Sequence, residues 1–180
     1  MAPPGKTLSD LGLLTSQIPP NLIYGLAVDS REVRKGYLFA ALPGYQTHGA
    51  KFANLAFSNG AIALLTDPEG AMIAAEEIKK FNIEVCVLDD PRGALAHASA
   101  LFYGSQPEVV VAVTGTNGKT SVASFCQQIW ANVGMSAINL GTTGVEGSWS
   151  APLSHTTPDP IVLHRVLAQA KRAGVTHVAM

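Results

Sequence analysis

The apolar positions of this chain follow two alternating patterns. Short runs of β-branched and small apolar residues are typical of buried strands, and between them apolar residues recur every three or four positions, as on one face of a helix. The runs predict strands at residues 21–28, 37–42, 61–65, 85–88, 109–113, 136–140 and 175–180. Helices are predicted over residues 52–59, 72–81, 91–104, 122–133 and 161–170. Strands that alternate with helices indicate an α/β fold on mostly parallel sheets.

Capping and turn residues punctuate these elements. Asp90-Pro91 and Asp159-Pro160 each place a capping side chain before a proline suited to the first helical turn. Asp67-Pro68 predicts a turn, and a short lead-in helix is expected within residues 1–20. Residues 145–155 are polar, and we expect them to be irregular.

The short polar segment at residues 105–108 (SQPE) is the best candidate for a domain boundary. We therefore expect one domain over residues 1–105 and a second over residues 106–180. A doubly wound sheet needs more strands than the second segment supplies. We accordingly expect the second domain to be incomplete and the chain to be the N-terminal part of a longer protein.

One segment joins a strand pattern to a helix pattern through a polar turn: residues 109–121 read VVVAVTGTNGKTS. The helix stripe that follows consists of Val122, Phe125, Cys126, Ile129, Trp130 and Val133. This order is typical of a phosphate-binding loop, in which backbone N–H groups and the helix N-terminus hold phosphate oxygens. Lys119 can then reach the β- and γ-phosphates, and the Thr120 hydroxyl can bind Mg²⁺.

This phosphate loop (residues 114–120) departs from the common motif at one position. The usual motif has a glycine where this chain has Val113, so we expect the loop to start later and to be tighter. An ordinary strand-to-helix turn with a solvated lysine is one alternative, but it does not explain Lys-Thr at the helix start. A small kinase or GTPase is another, and it predicts the glycine that is absent at position 113.

Composition narrows the functional classes. The 180 residues are 47% hydrophobic and 14% charged, which indicates a globular chain, and the net charge of −1 argues against a nucleic-acid surface. No apolar run suggests a signal peptide or a membrane span, so we expect a cytoplasmic protein without nucleic-acid or membrane partners. Cys86 and Cys126 lie in apolar runs, which predicts buried, reduced thiols, and no spacing fits a metal site.

Several segments together resemble the Mur ligases, the ATP-dependent amino-acid-adding enzymes of peptidoglycan precursor synthesis. Residues 114–120 are similar to the ATP loop of that family, and Asp29-Ser30-Arg31 with residues 36–44 is similar to the first-domain segment that holds the UDP end of the substrate. Residues 156–160 (TTPDP) and 174–180 resemble the branch that adds the third peptide residue. The resemblance extends from about residue 22 to the end of the chain.

The resemblance implies a three-domain enzyme. This chain would supply a small α/β UDP-binding N-terminal domain and the start of a P-loop, mostly parallel, doubly wound ATP-binding domain. The implied reaction uses ATP and Mg²⁺ to convert the γ-carboxylate of UDP-N-acetylmuramoyl-L-alanyl-D-glutamate into an acyl phosphate. The amine of a diamino acid, expected to be meso-diaminopimelate, then attacks. The implied partners are therefore this UDP-muramoyl-dipeptide and a diamino acid, and we expect a monomer.

The resemblance also implies site residues. Those for ATP are Gly115, Thr116, Asn117, Gly118, Lys119, Thr120 and Ser121, with Lys119 and Thr120 catalytic and Thr120 the metal ligand. Those for the UDP-muramoyl substrate are Val28, Ser30, Tyr45, Gln46, Thr47, His155, Thr156 and Thr157. Tyr45 and His155 depart from the family, which has His at the first position in some members and Asn at the second in many.

Two alternatives remain at this point. Without the resemblance, residues 29–31 are also typical of a turn that ends a strand, and residues 156–158 of the lead into a helix. The 180 residues alone are not expected to form the peptide bond. A non-catalytic module that binds a UDP-sugar or a nucleotide is therefore an alternative function for the chain as it stands.

Overall fold

The structure is a computed structural model that describes residues 4–13, 21–141, 144–151 and 159–180. It divides into two compact units, Met1–Phe102 and Tyr103–Met180. Each unit has its own four-stranded sheet within the described residues. The α/β class expected from the sequence is confirmed in both units.

The first unit is built on a fully parallel sheet with strand order β1-β2-β3-β4. Its strands are β1 (Gly25–Ala27), β2 (Tyr37–Ala40), β3 (Ala61–Thr66) and β4 (Glu84–Val87). Its helices are α1 (Ala53–Ser58), α2 (Pro68–Ile73), α3 (Ala75–Phe81) and α4 (Pro91–Tyr103), with short 3₁₀ turns at Ser9–Leu11 and Gly49–Phe52. Because all strands run parallel, their carboxyl ends meet at one edge of the sheet.

Apolar packing holds this unit together. Phe39 and Leu64 are buried at the centre of a cluster that α1 and α3 close, where the rings of Phe57 and Phe81 meet edge to face at 5.8 Å. Burial of each such large side chain contributes about 1.5–3 kcal/mol to folding. The segment before β1 packs on α4, where the Lys6 ammonium donates to the carbonyl of Leu101.

Two predictions for this unit are corrected by the structure. The helix predicted over residues 72–81 begins earlier, at Pro68, and is interrupted at Ala74, which leaves helical geometry at φ −94° and ψ 9°. Asp67-Pro68 is therefore a helix start and not a turn, with the Asp67 side chain as its cap. The same Asp-Pro pair, at Asp159-Pro160, correctly predicts the start of α6.

The second unit has the strand order β5-β8-β6-β7. Its elements are β5 (Val109–Val111), α5 (Lys119–Asn132), β6 (Ala137–Gly141), β7 (Gly144–Gly147), α6 (Pro160–Arg172) and β8 (His177–Ala179). Strands β5, β8 and β6 are parallel, and β7 is antiparallel to β6. Residues 145–155 were expected to be irregular, and β7 corrects this for their first part. Pairing with β6 and burial of Val145 form that strand, and neither is visible in so short a pattern.

Helices cover both faces of this second sheet. On one face, Val166, Leu167 and Ala170 of α6 pack against Ile138 and Val178. On the other face lies α5, whose Trp130 ring is 5.1 Å from the ring of His177. This arrangement is that of a doubly wound sheet.

Strand β5 and helix α5 are more exposed than the sequence predicts. Strand β5 was expected to be buried on both faces, yet Val109 and Val111 are 37% and 38% exposed, since β5 pairs only with β8 in the described chain. The stripe that predicts α5 is also exposed: 46% at Val122, 60% at Phe125, 61% at Ile129 and 65% at Val133. Helix α5 instead meets the sheet through another side, on which Ala123 is buried.

The two thiols have different environments. Cys86 of β4 is buried as predicted, and burial raises its pKa to about 11, so the thiol stays protonated at neutral pH. Cys126 of α5 is only partly buried, which corrects the prediction. In the part of the chain that the structure describes, no helix is both long and apolar enough to cross a membrane.

A largely buried polar pair, His48 and Asp67, links the end of the 43–48 loop to the start of α2. The His48 Nδ1 atom accepts from the Ala50 N–H at 3.0 Å, which places the imidazole proton on Nε2. That group donates to Asp67 Oδ1 at 3.0 Å, and Asp67 Oδ1 also accepts from the Gly70 N–H at 2.7 Å. These hydrogen bonds, above all the one from the Gly70 N–H, hold the pKa of Asp67 below its ordinary value of 3.8.

We expect Asp67→Ala to lower the free energy of unfolding by about 1–2 kcal/mol at pH 7, the usual cost of losing a helix cap. The folded-state pKa lies below the unfolded one, so the carboxylate stabilises the fold at higher pH and loses this effect as the pH falls through the folded-state value. Urea unfolding of wild type and variant should therefore differ fully at pH 7 and progressively less below about pH 4. Asp67→Asn is the control, because it keeps a capping oxygen and should lose less stability. An equal loss at pH 7 and pH 3 would contradict this account.

Candidate functional site

The phosphate loop begins where the pairing of β5 with β8 stops. Met180 N–H donates to the carbonyl of Val111 at 2.9 Å, and Val113 N–H donates to the carbonyl of Met180 at 2.6 Å. Pairing thus continues through Val113, where the common motif has its first glycine. The expected late start of the loop is confirmed. Residues 114–118 are all exposed, and α5 begins immediately after them at Lys119.

The N-terminus of α5 is open. Gly118 precedes it in the left-handed region at φ 79°, and a Cβ built on Gly118 would meet nothing within 4 Å. No side chain caps the helix, whereas Asp67 and Asp159 cap α2 and α6. The first N–H groups of a helix lack partners within the helix, and together with the helix dipole they attract an anion. The geometry therefore suits a phosphate group.

The Lys119 side chain folds back over this loop. Its Nζ donates to the carbonyl oxygen of Gly115 at 2.5 Å and lies 3.4 Å from that of Thr116. The ammonium group is exposed and has no acidic partner among the described residues. Phosphate oxygens at the helix start can replace these carbonyls as stronger, charge-assisted acceptors. The neighbouring Thr120 and Ser121 are also exposed.

The described residues fit a triphosphate better than they fit a metal alone. They contain no group of three His, Cys, Asp or Glu side chains that could hold a cation. Mg²⁺ usually keeps several waters and takes few protein ligands beside the phosphates. The Thr120 hydroxyl can serve as one such ligand at the start of α5. A second polar group lies on the sheet face that α5 covers, since Asn139 of β6 lies two residues from Ala137, which is opposite His177, the contact of Trp130. Its Oδ1 is buried without a hydrogen-bond partner. These donor atoms fit Mg²⁺ that arrives with a nucleotide.

A second group of predicted residues lies at the carboxyl edge of the first sheet. Val28 is half-buried and Ser30 buried, and both follow the end of β1. The carbonyl of Ser30 accepts from the Asn59 side-chain amide at 3.0 Å. Beside it, the Arg31 guanidinium donates to Asp29 at 2.6 Å and holds the pKa of that carboxyl below its usual range. These contacts fix the turn after β1.

Tyr45, Gln46 and Thr47 are exposed in the loop that follows β2. A Cβ on Gly44 would lie 2.5 Å from the carbonyl oxygen of Thr47, so the loop closes so tightly that only glycine fits. The Arg92 guanidinium donates to the carbonyl of Pro43 at 2.5 Å. Buried His48 fixes the other end of the loop. The three exposed side chains thus stand on a loop anchored at both ends.

The structure brings these two groups to neighbouring positions. Strands β1 and β2 pair in parallel with Ala27 opposite Phe39, so the turns after them leave the sheet side by side. The segment at residues 28–30 and the loop at residues 43–48 therefore share one edge. The other predicted substrate residues, His155, Thr156 and Thr157, lie outside the described residues.

Sequence reasoning missed three side chains at these places. Arg92 contacts the 43–48 loop although it lies 49 residues from Pro43 in the sequence, and only the fold reveals this contact. His48 anchors the loop from the loop's own end. The strand predicted at residues 136–140 includes Asn139, to which the sequence analysis assigns no role. A polar residue in the apolar run Ala137-Ile138-Asn139-Leu140 was the available signal, since buried amides need partners.

Comparison with known proteins agrees with this division of sites. Residues 22–103 match the family model described as Mur ligase family, catalytic domain. Residues 113–180 match the model of the Mur ligase middle domain. The phosphate loop lies in the second match, and Val28, Ser30 and the 43–48 loop lie in the first.

Two relatives similar to this chain have the same name. A UDP-N-acetylmuramoyl-L-alanyl-D-glutamate--2,6-diaminopimelate ligase from Brucella melitensis is 52% identical over 88% of this chain and 31% of its own length. The ligase of the same name from Caulobacter vibrioides is 42% identical over 97% of this chain and 36% of its own length. The chain thus spans about a third of the length of these relatives.

Solved structures agree with the fold. The structure of a UDP-N-acetylmuramoyl-L-alanyl-D-glutamate--2,6-diaminopimelate ligase superposes with a TM-score of 0.77 at 25% identity, over 97% of this chain and 35% of that one. A D-alanyl-D-alanyl-adding ligase from Acinetobacter baumannii shares the fold at 20% identity and a TM-score of 0.58, over 100% of this chain and 36% of that one. With matches to two successive domains of the same family, this chain belongs to the Mur ligases.

Proposed function

We propose that this chain is the UDP-substrate- and ATP-binding part of a ligase that adds 2,6-diaminopimelate to UDP-N-acetylmuramoyl-L-alanyl-D-glutamate. The observation that carries the proposal is the open start of α5, with Gly118 left-handed, no capping side chain and Lys119 folded over the loop. The identity of 52% to a ligase of that name supports the choice of substrate. Because the chain spans about a third of such relatives, the reaction belongs to a longer protein.

The phosphate loop would act by position and charge. A carboxylate is a poor electrophile, and transfer of the terminal phosphate of ATP to the γ-carboxylate of the substrate makes that carbon open to attack by an amine. Phosphoryl transfer needs alignment and charge neutralisation more than covalent help from the protein. The backbone N–H groups of residues 117–119 would hold the phosphates, and Lys119 would neutralise charge on the γ-phosphate. The Thr120 hydroxyl would be one ligand of Mg²⁺, which when bound would supply further neutralisation of phosphate charge.

We assign the remaining site residues by the same reasoning. Gly115, Thr116, Asn117, Gly118 and Ser121 complete the ATP loop. Val28, Ser30, Tyr45, Gln46 and Thr47 would contact the uridine nucleotide, and their common edge in the first unit supports this. His155, Thr156 and Thr157 are assigned to the muramoyl-peptide by resemblance.

The domain division also belongs to this proposal. Residues 1–105 would form the substrate-binding domain, and residues 106–180 the first part of the ATP-binding domain. The exposed apolar surface of β5 and α5 supports the second assignment, since folded proteins seldom leave so large an apolar surface in water. The protein would be a cytoplasmic monomer.

A module that binds nucleotides without catalysis is the second candidate for this chain. It is favoured by the length of the chain, which spans 31% of its Brucella melitensis relative. Both candidates predict nucleotide binding, and they differ in whether amide-bond formation occurs.

Nucleotide binding is the first test of the phosphate loop. We expect the chain to bind Mg²⁺·ATP and Lys119→Ala to weaken binding tenfold or more, since a hydrogen bond to a charged group contributes about 1.5–3 kcal/mol. Isothermal titration calorimetry measures both affinities. Lys171→Ala is the matched control, because it removes the same charge from α6, where Lys171 pairs with Glu108 at 3.0 Å. Equal affinities of wild type and Lys119→Ala would refute the role of the loop.

Uridine binding tests the first unit. Gly44→Ala forces the loop away from the Thr47 carbonyl, and we expect it to weaken UDP binding about tenfold, at a cost of about 1.4 kcal/mol. Titration of UDP measures this, and Mg²⁺·ATP affinity should stay unchanged. Gly104→Ala is the control, since a side chain is strained at the left-handed Gly104 (φ 73°), which lies just past the other end of α4 from Arg92. If both variants lose UDP binding equally, the 43–48 loop has no special role.

A coupled assay separates the two candidate functions. The 180 residues alone should release no phosphate from ATP when UDP-N-acetylmuramoyl-L-alanyl-D-glutamate and diaminopimelate are supplied. Phosphate release that needs both of these substrates would show that the chain is a ligase by itself. Isolated ATP hydrolysis that ignores them would instead favour another P-loop enzyme.

A further inference from the structure

Asn139 is a buried polar residue in the centre of the second sheet. It is 2% exposed, and its Oδ1 atom has no hydrogen-bond partner. An unpartnered buried acceptor is costly, because the group has lost water and gained nothing in exchange. An apolar residue would fit this strand without that cost. The amide therefore needs an explanation beyond the fold.

The strand register shows which helix Asn139 faces. It lies opposite Ala179 of β8, and Ala137 lies opposite His177. Residues two apart on a strand point to the same face, and His177 contacts Trp130 of α5. Asn139 therefore faces α5, while Ile138 and Leu140 on the other face pack against α6.

The Asn139 amide also leans along its strand, toward the carboxyl edge. A Cβ built on Gly141 would lie 3.6 Å from Asn139 Oδ1 and 3.7 Å from Nδ2. Gly141 is two residues further toward the strand end, so the amide stands over it. A side chain at position 141 would lie in contact with the amide, whereas glycine leaves space beside it at that edge.

The phosphate loop lies at this same edge. Asn139 and Val111 both lie opposite Ala179, so they occupy one row across β6, β8 and β5. The chain continues from Val111 into the loop and into α5, whose sheet-facing Ala123 is also small and buried. The amide is thus directed along α5 toward the end that holds Lys119 and Thr120.

We propose that Asn139 is a positioning residue of the nucleotide site, whose buried Oδ1 accepts a hydrogen bond from a water bound to the Mg²⁺ that enters with ATP. The inference rests on the proposed nucleotide function. A metal-bound water is a strong donor, and Mg²⁺ retains several such waters in protein sites. The acceptor unpartnered in the free protein then gains its partner only when Mg²⁺·ATP is bound.

A purely structural residue and a positioning residue respond differently to the near-isosteric change Asn139→Leu. Removal of an unpartnered buried acceptor raises stability in either case. Only the positioning role predicts that the same change weakens Mg²⁺·ATP binding and leaves binding of ATP without Mg²⁺ unchanged. Opposite shifts of stability and affinity are therefore the expected signature.

The experiment uses the 180-residue chain and two readouts. Thermal unfolding followed by tryptophan fluorescence reports on the second unit, because both tryptophans, Trp130 and Trp149, lie there. Calorimetry measures ATP affinity with Mg²⁺ and with a chelator. For Asn139→Leu we expect an unfolding midpoint about 2–4 °C higher and Mg²⁺·ATP affinity about fivefold lower, with metal-free affinity within twofold of wild type.

Two further variants sharpen the result. Ser99→Ala is the matched control, since Ser99 Oγ is likewise buried without a partner but lies on α4 of the first unit, and nucleotide affinity should not change. Gly141→Ala keeps Asn139 and places a methyl group in contact with its amide, so it should also weaken Mg²⁺·ATP binding. It decides the question if Asn139→Leu does not fold.

The outcomes separate this inference from the function on which it rests. If the wild type binds Mg²⁺·ATP and Asn139→Leu loses less than twofold in affinity, the role of Asn139 alone is overturned. If Asn139→Leu does not fold, the same limit applies to Gly141→Ala. Absence of binding in the wild type overturns both proposals. Equal losses with and without Mg²⁺ also overturn the metal-bound water as the partner of Oδ1.

Discussion

Parallel strand pairing determines where the binding residues of each unit come together. In the first unit every strand is parallel to its neighbour, and in the second unit β5, β8 and β6 are parallel to one another. All strand-to-helix turns of such a sheet leave from one edge, so polar residues that are distant in sequence meet there. Ser30 and the 43–48 loop become neighbours in this way, and so do the phosphate loop and the end of β6. The rest of each sheet is apolar support for that edge.

Helices α2 and α6 start with a capping side chain, and helix α5 does not. Asp67 accepts the Gly70 N–H at the start of α2, and Asp159 accepts those of Ile161 and Val162 at the start of α6, so each of these helices has a capping side chain in its first turn. Helix α5 begins after a left-handed glycine and has no capping side chain. Glycine at this cap position costs only roughly a few tenths of a kcal/mol relative to a capping side chain, and it leaves the first N–H groups of α5 without a side-chain acceptor. Those available donors are the reason to regard the start of α5 as a binding feature and not as a connection.

Local chemistry was predictable from the sequence, and contacts between distant segments were not. The phosphate loop, the Asp159 cap and the late loop start follow from residues within one short window. The anchoring of the 43–48 loop by Arg92 depends on a contact across 49 residues, which no window shows. The stripe on α5 predicted a helix correctly, but a stripe does not say which neighbour covers it. Strand β7 exists because β6 lies beside it, and its own four residues are too few to predict it.

The second unit combines several features that a protein selected only for stability would remove. Helix α5 lacks a cap, Lys119 makes exposed hydrogen bonds to carbonyls of its own loop, and Asn139 Oδ1 lacks a partner. The missing cap and the unpartnered Oδ1 leave polar groups unsatisfied in the free state, Lys119 has only neutral carbonyl acceptors there, and a phosphate group with its metal ion and waters can serve all three better. A group that gains its partner only in the complex adds to the difference in free energy between the free and bound states. Three such groups directed to one edge therefore make the unit's stability respond to a nucleotide more strongly than their small individual energies suggest.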